Sequence, residues 1–328
     1  MKKKTGWMAI MLGGALALGS CSLEDFLETS SSTSNMTLNE KVVLGLKTAL
    51  EVGIDSSAEV ASKVNGYLAH KVIKILLPEE AAQALKAAEE VGALVKPFAT
   101  DLDAMQSVVN LTSGVDKNSF TSNLKASNAL ATDIAGLEGI SDSVIKYMNR
   151  AAESAAPRSG PIFKSAITTM TIADGLTLLN SSDSTAATIY LNGKTFSPLV
   201  TAYTPIVDST LALVPLTQYW GDFRTTYNAI LSRYQSMVAF QQSWNSNVIV
   251  AAVPSLQVEK LKSVSYQPIV TESLGAWTTD KALLGLFHLV GEEEKEIRRD
   301  PLAYVRNLAN DISGLLKEVF GEIMKMEP

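Results

Sequence analysis

One run in this 328-residue chain reads as a strand by local propensity, Val72-Ile73-Lys74-Ile75-Leu76-Leu77, and it has no partner. An unpaired strand leaves its backbone donors and acceptors unsatisfied. The run therefore reads as a buried, extended connector leading into Pro78. Everything else with apolar periodicity repeats at three and four residues, the spacing of helices. No fixed-period repeat is present. The expectation is an all-α fold: a single multi-helix, bundle-like domain of about ten helices over residues 37–328.

Caps and breakers set the predicted elements. Thr37 caps a first helix whose face is Val42, Val43, Leu46, Ala49 and Leu50, and Gly53 ends it. A short helix follows over Ser57–Val64. Pro78 suits the first turn of the next, with Glu79 and Glu80 favourably near its N-terminus, and this helix reaches about Val91. Residues 107–142 are dominated by Ser, Asn, Asp, Thr and Gly and read as a surface insertion with weak helices. Val144, Met148, Ala151 and Ala155 form the next face, stopped by Pro157. Phe163, Ala166, Ile167 and Met170 form another. Thr171 to Asp174 matches a capping box, with Asp in place of Glu. Ser182 caps a helix carrying Ala186, Ala187, Ile189 and Tyr190. Ser197-Pro198 opens a further one, which Pro205 kinks. Asp222–Val238 is helical, about 240–255 is a loop, Asp280 caps a long helix, and Arg306–Met324 is the last.

The N-terminus carries an address. Lys2, Lys3 and Lys4 precede an apolar stretch, Trp7–Leu18, too short to span a bilayer comfortably. Leu18-Gly19-Ser20-Cys21 then has the pattern of a lipoprotein cleavage site, and Cys21 is the sole cysteine. The expected product loses residues 1–20, is acylated at Cys21 and forms no disulfide. Residues 21–36 are rich in Ser and Thr and read as a flexible tether. Ser22, in place of Asp, points to the outer membrane. Loss of three lysines takes the formal charge from -6 to -9. An acidic chain without a basic stripe excludes nucleic acid as a partner. The expected partners are the membrane, through Cys21, and an apolar ligand or an envelope protein.

Chemistry-bearing motifs are sparse. His70 and His288 belong to no metal-ligand pattern, and no metal or other cofactor is expected. No phosphate-binding glycine loop or nucleophile elbow is present. Two polar groups stand out. Asn149, Arg150 and Glu153 lie within one helical turn. In the charge run 292–300, Glu294 falls on the apolar face of Leu283, Leu286, Phe287, Val290 and Ile297. A carboxylate there needs a partner. Arg298, four residues on, is one candidate. The expectation is that Arg150 pairs with Glu293 or Glu294 and joins the two halves of the chain.

These residues also carry a resemblance. Asn149-Arg150-Ala151-Ala152-Glu153, Pro161-Ile162-Phe163, Met170-Thr171 with Asp174, and Ala186-Ala187-Thr188 with Tyr190 resemble the bacterial family called domain of unknown function 4197. So do Lys281-Ala282-Leu283, Gly285-Leu286-Phe287, Glu293-Glu294, Ile297-Arg298, Asp300-Pro301 and Val319-Phe320-Gly321. Residues 107–142, the 240–255 loop and extra residues after Pro301 read as departures. The resemblance implies a predominantly helical envelope protein and no reaction. The candidate ligand or ion-pair site is Asn149, Arg150, Glu153, Asp174, Thr188, Tyr190, Glu293, Glu294 and Arg298. One reading is a non-catalytic binding or scaffolding module, with an apolar pocket between helices and Arg150 or Tyr190 at its mouth. The other is a hydrolase of envelope glycans using Glu153 with Asp174 or Glu293. That chemistry needs carboxyls about 5–5.5 Å or 6.5–9.5 Å apart.

Overall fold

Thr37 opens the first helix as its sequence requires. Its hydroxyl accepts the Glu40 N–H (3.4 Å), and the Glu40 carboxylate accepts the Thr37 N–H (2.7 Å), a reciprocal capping box. The computed structural model describes residues 36–213, 216–258, 261–262, 269 and 273–299. Cys21, the tether and the helix expected over Arg306–Met324 lie outside them. Within them the chain is all-α, with nine α-helices, two short 3-10 turns and no strand.

The helices are α1 Leu38–Ser62, α2 Glu79–Leu111, α3 Lys117–Ala155, α4 Ser159–Thr168, α5 Ile172–Leu179, α6 Ala186–Leu213, α7 Leu216–Asn245, α8 Val248–Ala252 and α9 Gly275–Arg299. The 3-10 turns are Ala156–Arg158 and Pro254–Leu256. Several are longer than local breakers suggest. Gly53 does not end α1, because Ile54, Ser57 and Ala61 continue its buried face for two more turns. That packing outweighs the roughly 1 kcal/mol a mid-helix glycine costs against alanine. Pro198 lies inside α6 rather than opening a helix of its own, and Pro205 lies inside the same helix. They are seven residues apart and both exposed, so the missing N–H falls each time on the solvent side, where helix hydrogen bonds are already longest. Asp280 lies inside α9, which begins at Gly275.

The largest correction concerns residues 107–142. They form no surface insertion. Residues 117–142 are the first two-thirds of α3, a 39-residue helix. Phe120, Leu124, Ser127, Leu130, Ile134, Leu137, Ser141, Val144 and Met148 are buried at alternating three- and four-residue steps. α2 shows the same pattern in Ala81, Ala84, Ala88, Val91, Val95, Phe98, Leu102, Met105 and Val109, and it runs through Pro97 well past Val91. α7 repeats it from Leu216 to Trp244. Steps averaging 3.5 residues keep one seam facing its neighbours under a left-handed supercoil. α2, α3 and α7 thus form a three-helix arm. Contacts of Phe120 with Trp244 and Tyr147 with Tyr219 show α3 and α7 running antiparallel along its length. The 240–255 loop is likewise replaced. α7 runs to Asn245, and α8 and a 3-10 turn close the arm's tip.

The remaining helices, α1, α4, α5, α6 and α9, pack around the C-terminal part of α3 as a body. α6 buries Ala187, Leu191, Thr195, Leu199, Tyr203, Val207 and Leu211, one residue in four. On a helix of 3.6 residues per turn such a stripe drifts about 40° per step, so it spirals around the axis. The spiral suits a helix that meets α9, α3, α4 and α7 in turn. The apolar cores of arm and body are continuous.

Candidate functional site

Glu294 occupies the apolar face of α9, as its helical register demands, and is 3% exposed. Its carboxylate accepts the backbone N–H groups of Ala187 (2.9 Å) and Thr188 (2.8 Å) and the Thr188 hydroxyl (2.8 Å). These donors open α6, where N–H groups lack intrahelical partners and the helix dipole favours an anion. Arg298, one turn on, donates from Nε to the same carboxylate (2.9 Å). Its other arm donates to the Leu178 carbonyl (3.0 Å), at the C-terminal end of α5, where a cation is favoured. A single ion pair thus closes the end of one helix and the beginning of another.

Glu153 repeats the arrangement on α3. It is 5% exposed and accepts two consecutive backbone N–H groups, Tyr67 (3.2 Å) and Leu68 (3.3 Å). Arg150, three residues earlier, donates to it at 2.5 Å and to Asn65 Oδ1 at 2.8 Å. The loop held this way is tight. Asn65 has φ of 71°, and a Cβ on Gly66 would sit 2.3 Å from the Val60 carbonyl oxygen. Tyr67, fully buried, donates its hydroxyl to the Ala282 carbonyl of α9 (2.7 Å). Burial pushes that phenol well above its usual range and keeps it a donor.

Asn149 completes the set. Its side-chain amide accepts the Ile75 N–H (2.9 Å) and donates to the Ile75 carbonyl (2.8 Å), pairing with the connector as a neighbouring strand would. The connector leaves helix and turn only from Lys74 onward, since Lys71–Ile73 form a turn closed by the Lys74 N–H on the His70 carbonyl; Ile73, Ile75 and Leu77 are buried and Val72, Lys74 and Leu76 exposed. His70 Nδ1 accepts the N–H groups of Val72 (3.2 Å) and Ile73 (3.3 Å) at its start. The arm uses the same device. Asn245 accepts the Val258 N–H (3.0 Å) and donates to its carbonyl (2.9 Å), holding the chain that returns from the tip. Neither Asn245 nor Tyr67 stands out in the sequence. For Asn245 the signal is the non-helical segment opposite, whose backbone needs partners.

The expected pairing of Arg150 with Glu293 or Glu294 does not form. Each arginine is taken by the glutamate on its own helix, within one turn, which needs no long side chain to cross between elements. Glu293 instead accepts the Ser56 hydroxyl (2.8 Å). Asp174 closes the α5 capping box with Thr171, which holds its carboxyl below the usual range, and the nearby Tyr190 acts in the same direction. Burial, then Asp174, raises the Tyr190 phenol. The predicted residues on the described part of the chain therefore fall into four sets: Asn149, Arg150 and Glu153 on the loop and connector, Thr188, Glu294 and Arg298 at the start of α6, Asp174 with Tyr190, and Glu293 with Ser56 of α1. Among the described residues no three of His, Cys, Asp and Glu come together as metal ligands.

Neither Arg150 nor Tyr190 lines either of two hollows in the molecule. A groove of about 530 Å³ lies between α2 and α3 in the arm, with Val95, Leu130 and Ile134 in its floor and Lys96, Asp103 and Glu138 among its polar residues. Gly92 keeps it narrow, since a Cβ there would meet Ile134 Cδ1 at 2.8 Å. A smaller hollow of about 190 Å³ lies where α6, α7 and α9 meet, beside Asp208, Trp220 and Gly275.

A family model described as "Protein of unknown function (DUF4197)" matches residues 37–113 and 117–321. The matched range includes 117–142 and 240–255, which the sequence sets apart by composition alone. No curated protein and no solved structure matches the chain.

Proposed function

The chain belongs to the DUF4197 family, and from that premise we propose that it is a non-catalytic, lipid-anchored module of the bacterial envelope that binds or scaffolds through its helical arm. One observation carries this reading. The carboxylates best placed to act as acid and base are already committed to holding backbone. Glu153 and Glu294 each accept two consecutive N–H groups and an arginine, and Asp174 is bound into a cap. A general acid must present its proton to substrate, and a base its lone pair. Carboxylates fastened in this way hold the body together instead.

The arm supports the binding part of the reading. Its α2–α3 groove has an apolar floor and polar neighbours, the composition of a ligand or peptide site. Lys2–Lys4, Trp7–Leu18 and Cys21 support the anchor.

A photo-cross-linking residue in place of Asn128, which lines the groove, tests the proposal in the full chain expressed in intact cells. The expected result is one discrete adduct, lost when Ala131→Arg fills the groove, together with an acylated N-terminal peptide beginning at Cys21. Glycan hydrolysis by the purified chain that vanished in Glu153→Gln, with folding retained, would overturn it.

A further inference from the structure

The connector that Asn149 secures turns an unusual face outward. Between Glu59 and Glu79 the chain has no acidic residue but carries Lys63, His70, Lys71 and Lys74, in a protein of net charge -6. Lys63 pairs with Glu59. Lys71 and Lys74 are exposed and have no ion-pair partner among the described residues. Alternation from Lys74 onward places Lys74 on the same side as Leu76, which is 59% exposed, and the turn before it leaves Val72 65% exposed.

α9 continues this face. The Trp277 indole donates to the Leu76 carbonyl (3.0 Å), so the aromatic ring lies against the connector and remains partly exposed. Lys281 sits over that ring, 4.4 Å from its centroid. Leu284, 46% exposed, follows three residues later on the same side of the helix. Asp280, 3.7 Å from Lys281 Nζ, is the acid beside it. Exposed aliphatic side chains, a half-exposed tryptophan and three lysines make the composition of an interfacial surface. The apolar groups enter the headgroup boundary, the indole suits its polarity, and the lysines meet anionic lipid.

We infer that this face, formed by Lys71–Leu76 and the outer side of Trp277, Lys281 and Leu284, rests on an anionic lipid bilayer. The inference builds on the proposed anchor. α1, 25 residues long, spans about 37 Å between the tether end at Thr37 and the loop that precedes the connector. Residues 21–36, fully extended, reach about 55 Å. An anchor at Cys21 and the lysine face therefore meet one bilayer when α1 lies along it. The acid-rich remainder of the protein favours that orientation, since an anionic surface attracts the basic face and repels the rest.

Trp277 makes the test specific, because Trp220 and Trp244 are each 4% exposed and Trp7 lies in the stretch expected to be removed. The purified full chain is reconstituted with vesicles whose acyl chains are brominated, made either of phosphatidylglycerol with phosphatidylethanolamine or of phosphatidylcholine alone. Trp277→Phe supplies the background. The expected result is quenching of Trp277 in anionic vesicles only, weakened at 1 M salt. Lys71→Glu with Lys74→Glu lowers the docking constant by at least about 30-fold, roughly fivefold per lysine lost before the repulsion of the new carboxylates is added. Both positions are exposed, and an unchanged melting temperature confirms that the fold persists. Equal quenching in the two lipids, or quenching indifferent to the double charge reversal, overturns the inference. Capture of an acidic polypeptide without any quenching also overturns it and assigns the face to a protein partner. The mass of the N-terminal peptide reports acylation of Cys21 separately, so a failed anchor and a failed face are distinguished.

Discussion

The arm and the body share α3, yet they fix their helices by different means. In the arm the seam of α2, α3 and α7 is apolar almost throughout, and aromatic rings meet along it: Phe98 with Phe240 at 6.3 Å and Phe240 with Trp244 at 5.4 Å. In the body, buried charge does part of the work, through Glu153 with Arg150 and Glu294 with Arg298. The difference follows from geometry. Three long antiparallel helices satisfy their own backbone and need only a continuous apolar seam. The body joins long helices through the short α4 and α5 and the 65–68 loop, whose N–H and C=O groups fall inside the molecule and have to be met. Glutamate reaches a pair of adjacent N–H groups and arginine reaches a carbonyl, so an ion pair serves where packing alone leaves polar atoms unsatisfied.

The largest expected effect breaks this contrast directly. Glu294→Ala strands Arg298 and three donors at the start of α6, at a cost of about 3–5 kcal/mol in a denaturant titration. Hydrogen exchange should then accelerate first in α5 and the opening turns of α6. Replacing Arg298 as well, by Met, recovers part of the loss, because the unpaired charge is gone. In the arm, Phe98→Ala costs about 3 kcal/mol through cavity formation, and exchange accelerates in α2 and α7. If both variants opened the same amides, arm and body would be one cooperative unit and the contrast would concern chemistry only.

The next pair compares one device in two settings. Asn149 and Asn245 each satisfy both backbone groups of an extended residue, but Asn149 is fully buried and Asn245 only partly so. Asn149→Ala leaves the Ile75 N–H and carbonyl without partners away from water and costs about 2–3 kcal/mol. Asn245→Ala leaves Val258 closer to solvent and costs about 1 kcal/mol. Equal losses on thermal melting would show that burial is not what sets the cost.

These asparagines also mark the limit of what the sequence discloses. The capping boxes at Thr37 and Thr171, the stop at Pro157, the extended connector and the buried position of Glu294 are all local, and the structure has each where local rules place it. The length of α3 was equally legible in principle. Phe120, Leu124, Leu130, Ile134 and Leu137 keep the three-four step, but Ser127 and Ser141 occupy seam positions, and a Ser- and Asn-rich composition masks the period. Both serines return their hydroxyls to carbonyls of their own helix, which makes them tolerable there. Partner choice was not legible. Glu294 requires a cation, and both Arg150 and Arg298 qualify by charge; only the fold reveals that the nearer one is used. The role of Asn149 depends on which segment crosses α3, and that is a tertiary fact.

The smallest effect tests the same principle at a solvent-exposed helix end. Thr171→Ala removes the cap of α5 and costs about 1 kcal/mol at neutral pH. Hydrogen bonds from the Thr171 hydroxyl and N–H hold the Asp174 carboxyl below its ordinary range, so the folded state favours the ionised form. That contribution is present above the unfolded value and is lost as pH falls through the depressed one. The difference in melting temperature between the parent and Thr171→Ala should therefore narrow on acidification, keeping a remainder from the hydroxyl that accepts the Asp174 N–H. Glu40, lowered by the same bonds from Thr37, gives α1 an identical dependence in Thr37→Ala. A pH-independent gap in both cap variants would mean that the hydroxyl-to-carboxylate bond of each box contributes nothing, since the backbone N–H that meets the same carboxylate is kept in alanine.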